Sequence, residues 1–417
     1  MKDSGIPWVG EIPADWKVGK IKGCLHRHEV KGHGDATVLA LYRDHGVVPK
    51  DSRDDNHNRT GKDTNDYKFV RKGDLVINKM KAWQGSLSVS GYEGIASPAY
   101  FIYEFVGQDL DRGYADFLLR STYKQEFERV SGGIREGQWD LPRYDFEHMQ
   151  LPLPDIDEQQ RIADYLDERC IAIDEVRRTI EDEIEALRRL RRATIHHAVT
   201  KGLDKGVPMR DSGIEWIGEI PEDWDIVRIK NCLRRHDEKG LGDATVLSLY
   251  RDHGVVIKDS RDDNHNRTGR DTDSYKFVRK GDLVINKMKA WQGSLSVSGY
   301  EGIVSPAYFI YEFIDEKLSK QYADYLFRTV YAHEFKRVSG GIREGQWDLP
   351  AYDFERMPLL LPSLSEQQRI VDYLDERCSA IDSVIDTRTR QLERLDDYRR
   401  SLIFAYVTGK KEAPSHE

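Results

Sequence analysis

The sequence predicts an α+β protein in which one mixed module and one long helix each occur twice. The first observation is internal repetition with a period of 208 residues. Asp3–Trp16 returns as Asp211–Trp224, and residues 51–105 match residues 259–313 at all but four of 55 positions. The second is that short β-branched or aromatic segments precede one long charged stretch in each copy. Self-similarity at a fixed period indicates a structural unit used more than once.

About 150 residues of each copy have the pattern of a mixed α and β module. In the first copy, Lys72–Met80, Leu87–Ser90 and Ala99–Phe105 are predicted strands because they are short and bounded by glycine, serine or proline. Gly113–Val130 is a predicted helix because its apolar residues lie three and four positions apart. Leu151–Pro154 then closes the module, since proline disfavours continuing a helix or a central strand.

The second part of each copy is a predicted long helix. Ser365 and Gln368 have the spacing of a capping box, and Asp157 and Gln160 occupy the same positions in the first copy. Apolar residues then recur in steps of three and four between charged ones, which is typical of helices that pack on one another. Packing of each helix on its own module is the alternative.

These patterns predict four segments. We expect recognition modules at residues 1–154 and 208–362, followed by helices at residues 155–207 and 363–417. The segment Leu203–Gly206 and Pro208 mark the return to a new module.

Composition excludes some classes of protein. The longest apolar runs are only a few residues, whereas a helix needs about 20 to cross a bilayer, and the N-terminus has no apolar signal core. We therefore expect a cytoplasmic protein. The four cysteines form no CxxC pair and are expected to be reduced, partly buried thiols.

The net charge of −9 does not by itself suggest a partner. Acidic residues outnumber basic ones by four in residues 155–200 and by two in residues 363–408. The modules are therefore close to neutral, so each could carry a basic face.

The sequence lacks the usual signatures of catalysis. There is no GxxxxGK[ST] phosphate loop, no Asn-Pro-Pro-aromatic methyltransferase motif, no HExxH and no Cys/His cluster with metal spacing. His57 and its repeat His265 lie in the sequence DDNHNR, which we interpret as a polar loop and not as a metal or nuclease site. We therefore predict no catalytic residues, no metal and no cofactor.

The order of these segments resembles type I restriction–modification specificity subunits. The resemblance is carried by the IPADW and IPEDW openings, the LPLP and LLLP closings, and the EQQRIADYLDER and EQQRIVDYLDER helix starts, and it covers nearly the whole chain. It implies two target-recognition domains that each bind half of a bipartite DNA site. It also implies an antiparallel coiled coil between them, two adenine-methylating partner subunits, and motor-nuclease subunits that join the complex.

The family offers no fixed base-reading residues, so candidates were chosen by chemistry. Arginine and lysine suit guanine, and asparagine and glutamine suit adenine, in the major groove. Lysines in the same loops suit phosphates, which set position and not sequence. Trp83 and Trp139 are expected to pack the module. The predicted DNA-binding residues are Arg43, Asn56, Asn58, Arg59, Lys79, Lys81, Gln84 and Arg135, with their repeats Arg251, Asn264, Asn266, Arg267, Lys287, Lys289, Gln292 and Arg343.

These candidate loops are identical in the two modules. Antiparallel helices would relate the modules by a pseudo-twofold axis, so the predicted target is an inverted repeat. Three other functions fit less well: a specificity-type DNA-binding subunit of another phage-defence complex, a nuclease with an unrecognised site, and a coiled-coil scaffold. A scaffold leaves unexplained why the near-identical stretches lie in the modules and not in the helices.

Overall fold

The chain divides into two compact units in a computed structural model. Unit 1 comprises Met1–Glu181 with Arg390–Glu417, and unit 2 comprises Asp182–Thr389. The structure describes residues 1–43, 45–52, 64–132, 139–239, 242–251, 253–260, 272–340 and 347–414. Each unit contains one module, the start of the long helix that follows it, and the end of the other long helix.

The module of unit 1 is built around a four-stranded antiparallel sheet. Its strand order is Leu25–His28, Tyr100–Phe105, Leu75–Asn78 and Leu87–Val89. The other strands form two-stranded pairs: Lys2–Asp3 with Glu11–Ile12, Lys17–Lys20 with Gln150–Leu153, Leu39–Tyr42 with Gly46–Pro49, and Lys68–Val70 with Gly94–Ala96. The helices are Ile21–Cys24, Arg112–Thr122, Lys124–Val130, Arg143–His148 and the long helix Ile156–Lys201, with 3-10 turns at Lys50–Ser52 and Ala82–Gln84.

The module of unit 2 repeats this plan. Its four-stranded sheet has the order Leu233–His236, Tyr308–Phe313, Leu283–Asn286 and Leu295–Val297. The strand pairs are Met209–Asp211 with Glu219–Pro221, Asp225–Arg228 with Pro358–Leu361, Leu247–Tyr250 with Gly254–Ile257, and Lys276–Val278 with Gly302–Val304. The helices are Ile229–Cys232, Lys320–Thr329, Tyr331–Val338, Ala351–Arg356 and the long helix Leu364–Val407, with 3-10 turns at Lys258–Ser260 and Ala290–Gln292.

Within module 1, two predicted elements differ from the observed ones by more than one residue. The strand predicted at Lys72–Met80 is only Leu75–Asn78, because Gly73 has a φ of +92° in the turn before it and the Lys81 amide bonds the Asn78 carbonyl after it. The helix predicted at Gly113–Val130 is two helices that meet at Tyr123. Tyr123 is fully buried, and its hydroxyl donates to the Gln150 carbonyl, which fixes the bend.

The core of unit 1 is completed by the end of the second long helix. Leu402, Ile403, Tyr406 and Val407 lie in the same buried cluster as the module and the start of the first long helix. The buried hydroxyl of Tyr114 donates to the Val407 carbonyl at 3.0 Å. The module is therefore closed by residues almost 300 positions away in the chain.

Unit 2 is closed in the same way by the end of the first long helix. Ile195, Ala198 and Val199 lie in its buried cluster, and the Tyr322 hydroxyl donates to the Val199 carbonyl at 3.3 Å. The first long helix thus begins against its own module, where Ile162 and Leu166 are buried, and ends against the module of the other copy. Packing of a helix on its own module, stated above as the alternative, therefore also occurs.

Within each unit the two long-helix segments run antiparallel, as the resemblance implied. In each of the four ion pairs named below, the residue number rises along one helix as it falls along the other. Ile173, Ile180 and Ile184 are buried among these charges. Val176, Leu190 and Val384, which belong to the apolar residues predicted to recur in steps of three and four, are exposed. The ion pairs are Asp174–Arg399 (3.0 Å) and Arg177–Asp396 (3.2 Å) in unit 1, and Arg191–Asp382 (2.9 Å) and Glu183–Arg388 (2.9 Å) in unit 2.

The predicted helix caps are wrong by two residues. Asp155 caps the first long helix by accepting the Glu158 amide at 2.8 Å, and Ser363 caps the second by accepting the Glu366 amide at 3.3 Å. Both sequences still read Asp/Ser-x-x-Glu, the spacing of a capping box. In the first copy, however, the Glu158 carboxylate accepts the Trp16 indole N–H at 3.0 Å.

The middle glutamine of the EQQ sequence joins the helix to its module. Gln159 is fully buried, and its amide oxygen accepts the Asp111 amide at 2.9 Å. Its amide nitrogen donates to the carbonyls of Asp109 and Pro154 at 2.9 and 3.0 Å. Gln367 makes the same three bonds in unit 2, to Ser319, Lys317 and Pro362.

We expect Gln159→Ala to lower the free energy of unfolding of unit 1 by about 1–3 kcal/mol, because it leaves buried backbone groups without partners. Urea unfolding measures the change. Gln160→Ala is the matched control, since Gln160 is exposed on the same turn and should change stability by no more than about 0.5 kcal/mol. Equal effects of the two substitutions would contradict this role for Gln159.

Candidate nucleic-acid interface

Three of the predicted DNA-binding residues of module 1 lie on one tightly closed loop. This loop, residues 78–86, connects two strands of the main sheet and contains Lys79, Lys81 and Gln84; we call it the Met80 loop. The Asn78 amide bonds the Ser86 carbonyl at 3.0 Å, and the Gln84 amide bonds the Lys81 carbonyl at 2.9 Å. Hydrogen bonds across the base of the loop and within it therefore fix its backbone.

Gly85 allows this loop to pack closely against the helix Arg112–Thr122. Its φ of +80° favours glycine, and a Cβ there would lie 3.0 Å from the Arg120 carbonyl oxygen. The Arg120 guanidinium in turn donates to the Arg43 carbonyl at 2.7 Å and pairs with Asp116 at 3.0 Å. The helix Arg112–Thr122 thus contacts both the turn that carries Arg43 and the Met80 loop.

The Met80 loop also contacts described residues that flank the segment containing Arg135. Lys79 pairs with Asp140 at 2.9 Å, and the Leu141 amide donates to the Lys79 carbonyl at 3.0 Å. Asp140 forms a backbone bridge with Gly132, so both ends of the segment containing Arg135 are fixed beside Lys79. The ring centroids of Trp83 and Trp139 lie 4.9 Å apart at this junction, and Trp83 packs against the core as predicted.

Module 2 reproduces this arrangement in its own residues. Lys287 pairs with Asp348 at 3.0 Å, and the Trp291 and Trp347 centroids lie 4.8 Å apart. Arg328 donates to the Arg251 carbonyl at 2.5 Å. Lys289 and Gln292 occupy the loop of residues 286–294, which we call the Met288 loop.

The remaining predicted residues lie outside the described part of the chain. They remain predictions. They are Asn56, Asn58, Arg59 and Arg135, with Asn264, Asn266, Arg267 and Arg343. His57 and His265 fall in the same segments.

The two modules differ in charge beside the tryptophan pair. The Lys336 ammonium lies 5.2 Å from the Trp347 ring centroid and 5.9 Å from that of Trp291, distances at which a cation is attracted to the ring face. The residue 208 positions earlier is Glu128. This charge reversal lies outside the nearly identical blocks at residues 51–105 and 259–313.

Other polar pairs among the described residues connect elements of the framework. Lys68 is buried, and its hydrogen bond to Glu29, 2.8 Å long, lowers the pKa of that carboxyl group. His28 bonds Asp74 at 2.9 Å across the sheet, and His236 bonds Asp282 at 3.0 Å in module 2.

The cysteines are free and buried, in agreement with the prediction. Burial raises the pKa of all four thiols, with that of Cys232 raised to about 11. A thiol of high pKa is a poor nucleophile because the thiolate is the reactive form.

Within the described ranges, no group of three or more His, Cys, Asp or Glu side chains is arranged to hold a metal ion. In the same part of the chain, none of the helices combines the length and the apolar character that a membrane span requires.

Comparisons with known proteins find similarity to type I specificity subunits. Residues 13–186 match the family model of the type I restriction modification DNA specificity domain. The specificity subunit of type I restriction enzyme MjaVIII from Methanocaldococcus jannaschii is 25% identical over 435 residues, which cover 96% of this chain and 93% of that one. The StySPI specificity subunit of Salmonella potsdam is 23% identical over 314 residues, covering 72% and 65%.

A solved structure shares the fold. It is a chain from a structural study of complex assembly and conformational transition in the type I R-M system, with a TM-score of 0.70 and 14% sequence identity. The match covers 96% of this chain and 100% of the other. Residues 13–186 are thus similar to a type I restriction modification DNA specificity domain, and nearly the whole chain is similar to type I specificity subunits, the family that the helix junctions resemble.

Proposed function

We propose that this subunit reads a bipartite, palindromic DNA target and directs adenine methylation to it. Two methyltransferase subunits would supply the chemistry, and motor-nuclease subunits would add cleavage. The observation that carries the proposal is that the candidate reading loops are identical in sequence in the two modules. The described parts of these loops are also held by equivalent contacts.

Because the candidate loops have the same sequence and their described parts make equivalent contacts, we expect both modules to read the same bases. The helices are antiparallel within each unit, and two copies related by a twofold axis read inverted half-sites on DNA. A palindrome interrupted by a spacer is the target that this reasoning supports. The long helices would set the spacer length.

The chain itself is proposed to carry out no chemistry. Incubation of the purified subunit with DNA, S-adenosylmethionine and Mg²⁺ should give neither methylation nor cleavage. Methylation should appear when a methyltransferase subunit is added. Methyl transfer by the subunit alone would contradict the proposal.

A specificity-type subunit of another phage-defence complex is the second candidate. It shares the DNA-binding modules but needs no methyltransferase. The same experiment separates the two candidates. Methylated adenine after addition of the methyltransferase subunit is expected only for a type I specificity subunit. Either complex would act on cellular DNA, so a cytoplasmic location is part of the proposal.

Lys79→Ala together with Lys287→Ala should weaken binding to all DNA sequences about equally, because these lysines are proposed to contact phosphates. Each lost phosphate contact should reduce the slope of log K against log salt by about 0.9. Both lysines sit in exposed ion pairs, so stability should change by only about 1 kcal/mol or less. Titrations of the complex with DNA at several salt concentrations measure the slope.

Lys205→Ala is the matched control, since Lys205 is exposed on the segment after the first long helix. It should leave the slope unchanged. A change in target sequence with an unchanged slope would show that Lys79 and Lys287 read bases instead.

A further inference from the structure

The Met80 loop exposes an apolar side chain between two lysines. Met80 is 43% exposed, and its repeat Met288 is 42% exposed. Lys79 and Lys81 flank the first methionine, and Lys287 and Lys289 flank the second. Composition alone would assign a methionine that follows a strand to the core, and the structure places both outside it.

The backbone of each methionine is held on both sides. The Met80 amide donates to the Asn78 side-chain oxygen at 3.2 Å, and the Met80 carbonyl accepts the Trp83 indole N–H at 3.2 Å. The Met288 amide and carbonyl bond Asn286 and Trp291 at the same distances. In each loop, an asparagine and a tryptophan side chain thus fix the backbone of the methionine, whose own side chain is exposed to solvent.

Such a presentation suits contact with a base. The flanking ammonium groups favour a position close to DNA phosphates. In the major groove the C5-methyl group of thymine is the apolar feature of the base edges, and apolar side chains recognise it by contact. Methionine is unbranched and polarizable, so it adapts its shape to such a methyl group.

We propose that Met80 and Met288 each contact a thymine methyl group, one in each half-site. This inference rests on the proposed function, since it requires that the modules read DNA. It adds an apolar reading group to the polar candidates and makes a thymine part of each half-site.

The test replaces the methyl group on the DNA and the methionine on the protein. The target is first defined from the adenine methylation of cells that carry the wild-type subunit with its methyltransferase. Duplexes of that target are then made in which one thymine at a time is replaced by deoxyuridine. The dissociation constant of the assembled complex is measured on each duplex at fixed salt, and likewise for Met80→Gln with Met288→Gln.

One thymine in each half-site should be sensitive for the wild-type complex. Removing its methyl should weaken binding about fourfold per half-site, which corresponds to about 0.8 kcal/mol for one buried carbon group. The Gln variant should bind the thymine and deoxyuridine duplexes equally, because the two changes remove the same contact. Met80→Gln alone should abolish the sensitivity in one half-site and keep it in the other.

Two control variants keep the test decisive. Met80→Leu with Met288→Leu retains an apolar side chain and should keep the deoxyuridine sensitivity. Val106→Gln with Ile314→Gln changes exposed apolar residues elsewhere on each module and should also keep it. Thermal unfolding of every variant checks that the modules are intact.

The inference is overturned if no thymine is sensitive, if the half-sites contain none, or if the sensitivity survives in the Gln variant. A wild-type complex whose methylation shows no bipartite motif contradicts the proposed function instead. The two failures are therefore distinguishable.

Discussion

A fragment of residues 1–208 is expected to form a homodimer that directs methylation to the same palindrome as the full chain. In unit 1 the module core needs Leu402, Ile403, Tyr406 and Val407, which the fragment lacks. The residues 208 positions earlier include Ile195 and Val199, which close the core of unit 2. A second copy of the fragment can therefore supply the missing helix end.

The dimer should be obligate, because an uncovered module would expose the apolar surface that these residues bury. Light scattering should give twice the mass of the fragment, and addition of the methyltransferase subunit should restore site-specific methylation. Val199→Asp in the fragment should prevent dimerisation, since it places an unpaired charge in the closing position. A folded, strictly monomeric fragment would contradict this account of the core.

Arg59→Ala together with Arg267→Ala should relax target choice in both half-sites. Each loss of a bidentate contact to guanine removes about 1–3 kcal/mol of discrimination, roughly a 5- to 150-fold effect per half-site. The change should appear as a degenerate base at one position in each half-site of the methylation motif. Affinity for unrelated DNA should fall much less.

A single substitution sharpens this prediction. Arg59→Ala alone should make one half-site degenerate while the other keeps its sequence, because the repeated loop in module 2 still carries Arg267. Ser52→Ala is a suitable control, since Ser52 is exposed just before the loop and bonds only the nearby Pro49 carbonyl among the described contacts. An unchanged motif in the double arginine variant would show that the DDNHNR loop does not read bases.

Sequence patterns predicted the repeated modules and the long helices but placed several boundaries wrongly. Alternation and helical spacing identify an element by its apolar face, whereas its ends depend on turns and tertiary contacts. Tyr123 shows this, because its buried ring breaks a helix whose apolar spacing continues unchanged. The closure of module 1 by Val407 could not be read from local sequence, since its partner Tyr114 lies 293 residues away.

The candidate interface was predicted in part. Loop composition identified Lys79 and Gln84, and the structure places both on one fixed loop. It did not identify Met80, because an apolar residue gives no polar signal and only its exposure distinguishes it from a core residue. The charge reversal between Glu128 and Lys336 was visible in the sequence, but its closeness to the tryptophan pair depends on the fold.

Genome-wide mapping of methylated adenine tests the central claim most directly. Cells that express this subunit with its methyltransferase should show one interrupted palindrome, with half-sites that are reverse complements of each other, and cells without the subunit should lack it. Two unrelated half-sites would contradict equal reading by the two modules.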